Sequence, residues 1–135
     1  MVDATVRAVK TAAILEAVRW IRENLPDTVE QFHEDRLVRD SVIFNLFVAI
    51  QEAIDLATHW VADEGWAVPD TYGAVFRVLA EHSIVEWDLA RRLVKAAGLR
   101  NLIAHQYGTI DFDRIYASAS ADLDDLIAFC HALAG

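Results

Sequence analysis

The chain has one cysteine in 135 residues, Cys130. No internal disulfide can form, and a reducing, cytoplasmic location is expected. Proline occurs twice and glycine five times, and no strand pattern, internal repeat or low-complexity segment stands out. Long apolar runs are missing as well. The longest, Val42 to Ile50, contains Asn45 and ends at Gln51, well short of the ~20 residues that span a bilayer. Asp3, Arg7 and Lys10 interrupt the N-terminal segment, so no signal peptide is expected there. Basic residues are outnumbered, 12 Lys and Arg against 21 Asp and Glu, for a net charge of −9. That balance argues against a broad, sequence-independent binder of DNA or other nucleic acid, which needs many phosphate contacts.

What remains is apolar and helical. Apolar residues make up 55% of the chain, which fits one globular domain over 1–135 with a real core. So high a share also suggests that part of the surface is covered in an oligomer.

Ile14, Val18, Ile21 and Leu25 form one stripe of a helix over 4–24, which Leu25-Pro26 ends. Asp27-Thr28-Val29-Glu30 has the form of a capping box, with Asp27 as acceptor. A long second helix is expected from about Asp35 to Glu64, striped by Val42, Leu46, Ala49, Ala53, Ala57 and Trp60. Gly65 and Pro69 break the pattern. A shorter helix over 71–82 turns Val75, Val78 and Leu79 inward. Ser83-Ile84-Val85-Glu86 has the form of a second capping box, opening a helix that buries Trp87, Ala90, Leu93, Val94 and Ala97. Gly98 inside it would admit close approach of another backbone, and Gly108 would stop it. Asp111 can cap a last helix running unbroken to about Leu133. The expected fold is all-α: an up-down antiparallel bundle of four long helices plus one short helix.

Chemistry concentrates at the end of the fourth long segment, in Arg100-Asn101-Leu102-Ile103-Ala104-His105-Gln106-Tyr107. Asn101 and His105 are four apart and share a helix face, and Arg100 is displaced by roughly 100°. Arginine offers a planar fork of donors to phosphate oxygens, and histidine exchanges protons in general acid–base catalysis. Arg91, Arg92, Lys95 and Arg100 put four of the chain's 12 basic residues within ten positions. Taken singly, each side chain has a plainer role. Arg100 and His105 would complement a helix terminus, Tyr107 would be a core or interface aromatic, and the basic run would be a solvated helix face.

Taken together, the octet resembles the R-N-x-x-x-H signature of the HEPN superfamily. With Tyr107 it matches R-N-x-x-x-H-x-Y, which looks like the HepT-type branch. The resemblance implies a single HEPN-like domain and the toxin of a type VII-like toxin–antitoxin pair. It implies a metal-independent endoribonuclease with Arg100, Asn101 and His105 as catalytic residues in a homodimer cleft, and no cofactor. It also implies a nucleotidyltransferase antitoxin of the minimal (MNT) type that transfers AMP to Tyr107. A non-catalytic HEPN bundle that binds nucleotide or scaffolds its partner enzyme is the alternative.

Other residues carry less. His33-Glu34-Asp35 has no recognisable metal-site spacing. His59, His82 and His131 are expected on flanks and helix ends, and Cys130 in the core. Glu52 and Asp55 on the long helix are candidates to face the cleft and tune His105.

Overall fold

The computed structural model describes residues 3–134, and among these every regular element is helical. Helix α1 runs Ala4–Asn24. It starts at Asp3, whose carboxylate accepts from the amides of Thr5 and Val6 at 2.8 and 3.2 Å. It stops at Asn24, two residues before Pro26, because Leu25 turns extended. The capping box expected at 27–30 lies one residue further on. Thr28 is the N-cap of α2 (Val29–Glu34), paired reciprocally with Gln31. Thr28 leaves α2 its extended backbone and a hydroxyl aimed at the third amide, which is what a capping box requires.

Helix α3, Arg36–Asp63, is the axis of the molecule. It packs against each of the other α-helices, and most extensively against α1. Val42, Leu46, Ala49, Ala53, Ala57 and Trp60 are all buried, as are the flanking Ile50, Ile54 and Val61. Each large apolar side chain removed from water contributes on the order of 1.5–3 kcal/mol. As a whole helix rather than an unbroken run, α3 is long and apolar enough to cross a membrane by length and composition. Its packing within the bundle accounts for that composition.

Two loops close on the same device. At the end of α3, Gly65 takes φ 77°, with Trp66 N–H donating to Val61 and Gly65 N–H to Ala62. After α4 (Ala74–Glu81), Ser83 takes φ 60°, with Ile84 N–H donating to Leu79 and Ser83 N–H to Ala80. Both are Schellman motifs. Ser83 therefore ends α4 instead of opening the next helix. Helix α5 (Trp87–His105) starts from Glu86 with no side-chain cap. Trp87, expected inward, is 45% exposed, because it lies in the first turn, ahead of the buried stripe of Leu89, Ala90, Leu93 and Ala97.

The glycine that admits a close neighbour is Gly73. A Cβ there would lie 3.3 Å from Val94 Cγ1, whereas one at Gly98 would meet nothing within 4 Å. Helix α5 ends at His105 with Gln106 as its C-cap, ahead of Gly108, which sits in the 3-10 turn Tyr107–Thr109.

The last helix is not continuous. Asp111 caps α6 (Phe112–Ala121), accepting from the amides of Asp113 and Arg114. The chain breaks at Asp122, and α7 runs Leu123–Ala134. Ser120 returns its hydroxyl to the Tyr116 carbonyl at 2.8 Å, a bond that competes with helical pairing. Asp124 and Asp125 then sit in the first turn of α7, where negative charge suits the helix N-terminus.

Candidate active site

The motif residues occupy the last turn and a half of α5 and the 3-10 turn after it. Arg100 is half-buried and fully engaged on one side. Its Nε donates to Gln51 Oε1 at 2.6 Å, and its Nη1 to Asn101 Oδ1 at 3.1 Å. The guanidinium lies 4.6 Å from the centre of the Tyr72 ring and 5.0 Å from that of Phe47. Two aromatic faces and two acceptors fix the plane of the fork, the pre-organisation that phosphate recognition needs.

Gln51 is itself anchored, donating from Nε2 to Asp55 Oδ1 at 2.9 Å. Asp55 also lies 3.7 Å from Lys10 Nζ, which pairs with Glu52 at 3.1 Å. Asp55 thus reaches the site through Gln51 and acts on Arg100. Neither Glu52 nor Asp55 has a hydrogen bond or ion pair with His105.

Asn101 turns its carbonyl to Arg100, one position back, accepting from Nη1. His105 is exposed at the C-terminal end of α5, one turn beyond Asn101 on the same face.

Tyr107 is 46% exposed. Its hydroxyl donates to Asp40 Oδ1 at 3.1 Å. Partial burial, and then the bond to the Asp40 carboxylate, push the phenol above its ordinary value, and the nearby Arg39 and Arg36 oppose them. Asp40 is flanked by Arg36 Nε at 3.5 Å and Arg39 Nε at 3.7 Å. Arg39 also donates from Nη1 to the His33 carbonyl at 2.7 Å and stacks 4.3 Å over the Phe112 ring.

Gln51, Asp40, Phe47 and Tyr72 were not singled out by the sequence reading, yet they hold the motif. One signal pointed to the three of them on α3. Leu37, Asp40, Phe44, Phe47 and Gln51 recur at three, four, three and four along α3, a second stripe beside the core stripe. It carries large apolar side chains in the open, with Leu37 85% and Phe44 64% exposed.

The basic run of α5 is divided. Arg91 pairs with Asp88, Arg92 with Asp125 at 2.8 Å, and Arg100 with Gln51. A groove of about 450 Å³ lies between α5 and α6, with Arg92, Lys95, Leu99 and Arg114 in its walls, and it holds none of the four motif residues. His33 is bound to Asp113 at 2.6 Å, and His82 stacks on Trp66 with ring centres 3.6 Å apart. Among the described residues no group of three or more His, Cys, Asp or Glu side chains could hold a metal ion.

A family model described as Ribonuclease HepT-like matches residues 14–133. The mRNA nuclease HepT of Shewanella oneidensis is 29% identical over 120 residues, covering 89% of this chain and 90% of that protein. A putative RNase of Archaeoglobus fulgidus is 34% identical over 104 residues, covering 77% of each. Among solved structures, the tri-AMPylated Shewanella oneidensis HEPN toxin in complex with MNT antitoxin superposes with a TM-score of 0.88. It is 28% identical and covers 99% of this chain and 98% of that one. A toxin–antitoxin crystal structure with AMP-PNP gives a TM-score of 0.89 at 26% identity, covering 96% of this chain and 98% of that one. With the match spanning nearly the whole helical bundle and including the Arg100–Tyr107 segment, the chain belongs to the HepT-like ribonuclease family.

Proposed function

We propose that this chain is the toxin of a toxin–antitoxin pair, a cytoplasmic endoribonuclease that works as a homodimer and is silenced by AMP transfer to Tyr107. One observation carries the proposal: a complete R-N-x-x-x-H-x-Y octet in which Arg100 is held by Gln51, Asn101, Phe47 and Tyr72 while His105 and Tyr107 stay open to solvent.

The chemistry needs no metal. The 2′-hydroxyl attacks the adjacent phosphorus, the bond to the 5′-oxygen breaks, and Arg100 stabilises the charge that builds on the phosphorane-like transition state. One His105 takes the 2′-proton. A second protonates the leaving oxygen. An isologous dimer supplies both, because a two-fold axis brings two copies of one patch together. The exposed Leu37 and Phe44 flank Asp40 on the α3 stripe that also bears Gln51, so a second copy covering them would lie beside the site.

The lack of an orienting hydrogen bond on His105 favours the alternative, a non-catalytic bundle that binds nucleotide or scaffolds an MNT-type nucleotidyltransferase. In the proposed dimer the second copy or the RNA supplies that bond. Expression of the chain alone in a bacterium separates the two. Growth arrest that Arg100→Ala and His105→Ala relieve, and that co-expressed antitoxin relieves in the wild type, is the expected result. Tolerated expression of unmodified wild type would overturn the toxin assignment.

A further inference from the structure

Tyr107 and Arg100 do not share a neighbourhood on α3. Tyr107 meets Asp40 and Arg100 meets Gln51, eleven residues or about 16 Å apart along that helix. The cations beside the Tyr107 hydroxyl are Arg36 and Arg39, one on each oxygen of Asp40. Arg39 Nε is buried and has no hydrogen-bond partner. It sits 3.7 Å from Asp40 Oδ1, the same oxygen that accepts from Tyr107. Arg36 is 83% exposed, so its fork is free to turn toward an incoming group. A buried donor left unmade is costly, and a phosphate oxygen on Tyr107 would satisfy it.

We propose that Asp40 prepares the Tyr107 hydroxyl for nucleotide transfer and that Arg36 and Arg39 form the site that receives the phosphate. The inference rests on Tyr107 being the AMP acceptor. Tyr107 Oη attacks the α-phosphorus of a nucleoside triphosphate, the new O–P bond forms, and the bond to the β-phosphate breaks to release pyrophosphate. The phenolic proton passes along the existing hydrogen bond to Asp40 and then to solvent. The phosphodiester charge is left beside Arg36 and the Nε of Arg39, which makes no hydrogen bond of its own, where charge-assisted hydrogen bonds can hold it. The raised phenol agrees with the need for a base at neutral pH.

The test is the rate of mass gain when the purified full-length chain is mixed with its nucleotidyltransferase partner and ATP. Tyr107→Phe identifies the acceptor. Asp40→Asn should slow the wild-type rate by about 100-fold, and Asp40→Glu should restore part of it. The Asp40→Asn rate should also climb with pH toward the phenol range while the wild-type rate stays flat. Arg36→Glu, at a site too exposed to threaten folding, should slow transfer by about tenfold. A wild type that gains no nucleotide, or that gains it equally with Tyr107→Phe, removes both this inference and the Tyr107 assignment. Modification confined to Tyr107, with Asp40→Asn and Arg36→Glu as fast as wild type, overturns the inference and leaves the assignment standing.

Discussion

At the scale of single residues, the site depends on a glutamine outside the motif. Gln51 holds Arg100 through one amide oxygen and is itself held by Asp55 through the amide nitrogen. Gln51→Ala should therefore leave the fold intact and lower RNA cleavage by roughly 10- to 100-fold, since a small misplacement of a catalytic group carries losses of that size. Single-turnover cleavage rates check this, and an unchanged rate would mean that Arg100 is placed without Gln51. Cys130 gives a second expectation. Burial pushes its thiol from 9.0 up to about 11, so the native thiolate is scarcer by about a hundredfold at pH 8. Alkylation should be slow in the native chain and fast in urea. The sign for stability follows: burial favours the neutral thiol, so its contribution is complete below pH 9 and is lost as pH rises toward 11. Arg100, Asn101, His105 and Tyr107 were legible in the sequence because the motif is local. Asp40 and Gln51 were not, because their partners lie 67 and 49 residues away, and side chains of those types are commonplace on a helix surface.

At the scale of elements, the glycines and caps decide. Gly73→Ala should destabilise the fold by at most about 1 kcal/mol, because its Cβ would meet Val94 Cγ1 at 3.3 Å, a contact that a few tenths of an ångström of side-chain movement relieves. Gly98→Ala has open space and should stabilise α5 by about 0.5–1 kcal/mol. Ser83→Gly should also stabilise, by about 1 kcal/mol, since Ser83 holds φ 60°. Urea midpoints for the three variants test the signs together. Helices α1 and α3 were readable because their stripes are long and their ends carry proline, glycine or aspartate, and α5 was readable from its stripe alone. Their junctions were not. Ser83 read as an N-cap because serine and Glu86 have the right spacing, and only the tertiary course of the chain shows it closing α4. The break at Asp122 was hidden by an apolar period that continues across it through Ile115, Leu123 and Leu126.

At the scale of the whole molecule, the acidic chain gathers its motif residues at one corner and leaves Leu37 and Phe44 exposed on the α3 stripe beside it. If the proposed homodimer forms through this stripe, Phe44→Asp should shift the sedimenting species from dimer toward monomer and lower cleavage in parallel, because the second His105 would leave with the second copy. A variant that sediments as a monomer with full activity would break the link between dimer and site. The central claim is tested most directly by RNA cleavage in EDTA, comparing wild type with His105→Ala and recording the intact mass of each. Unmodified wild type should cleave, and the variant should not. Unmodified wild type that leaves RNA intact, or a variant that cleaves as fast as wild type, would contradict it.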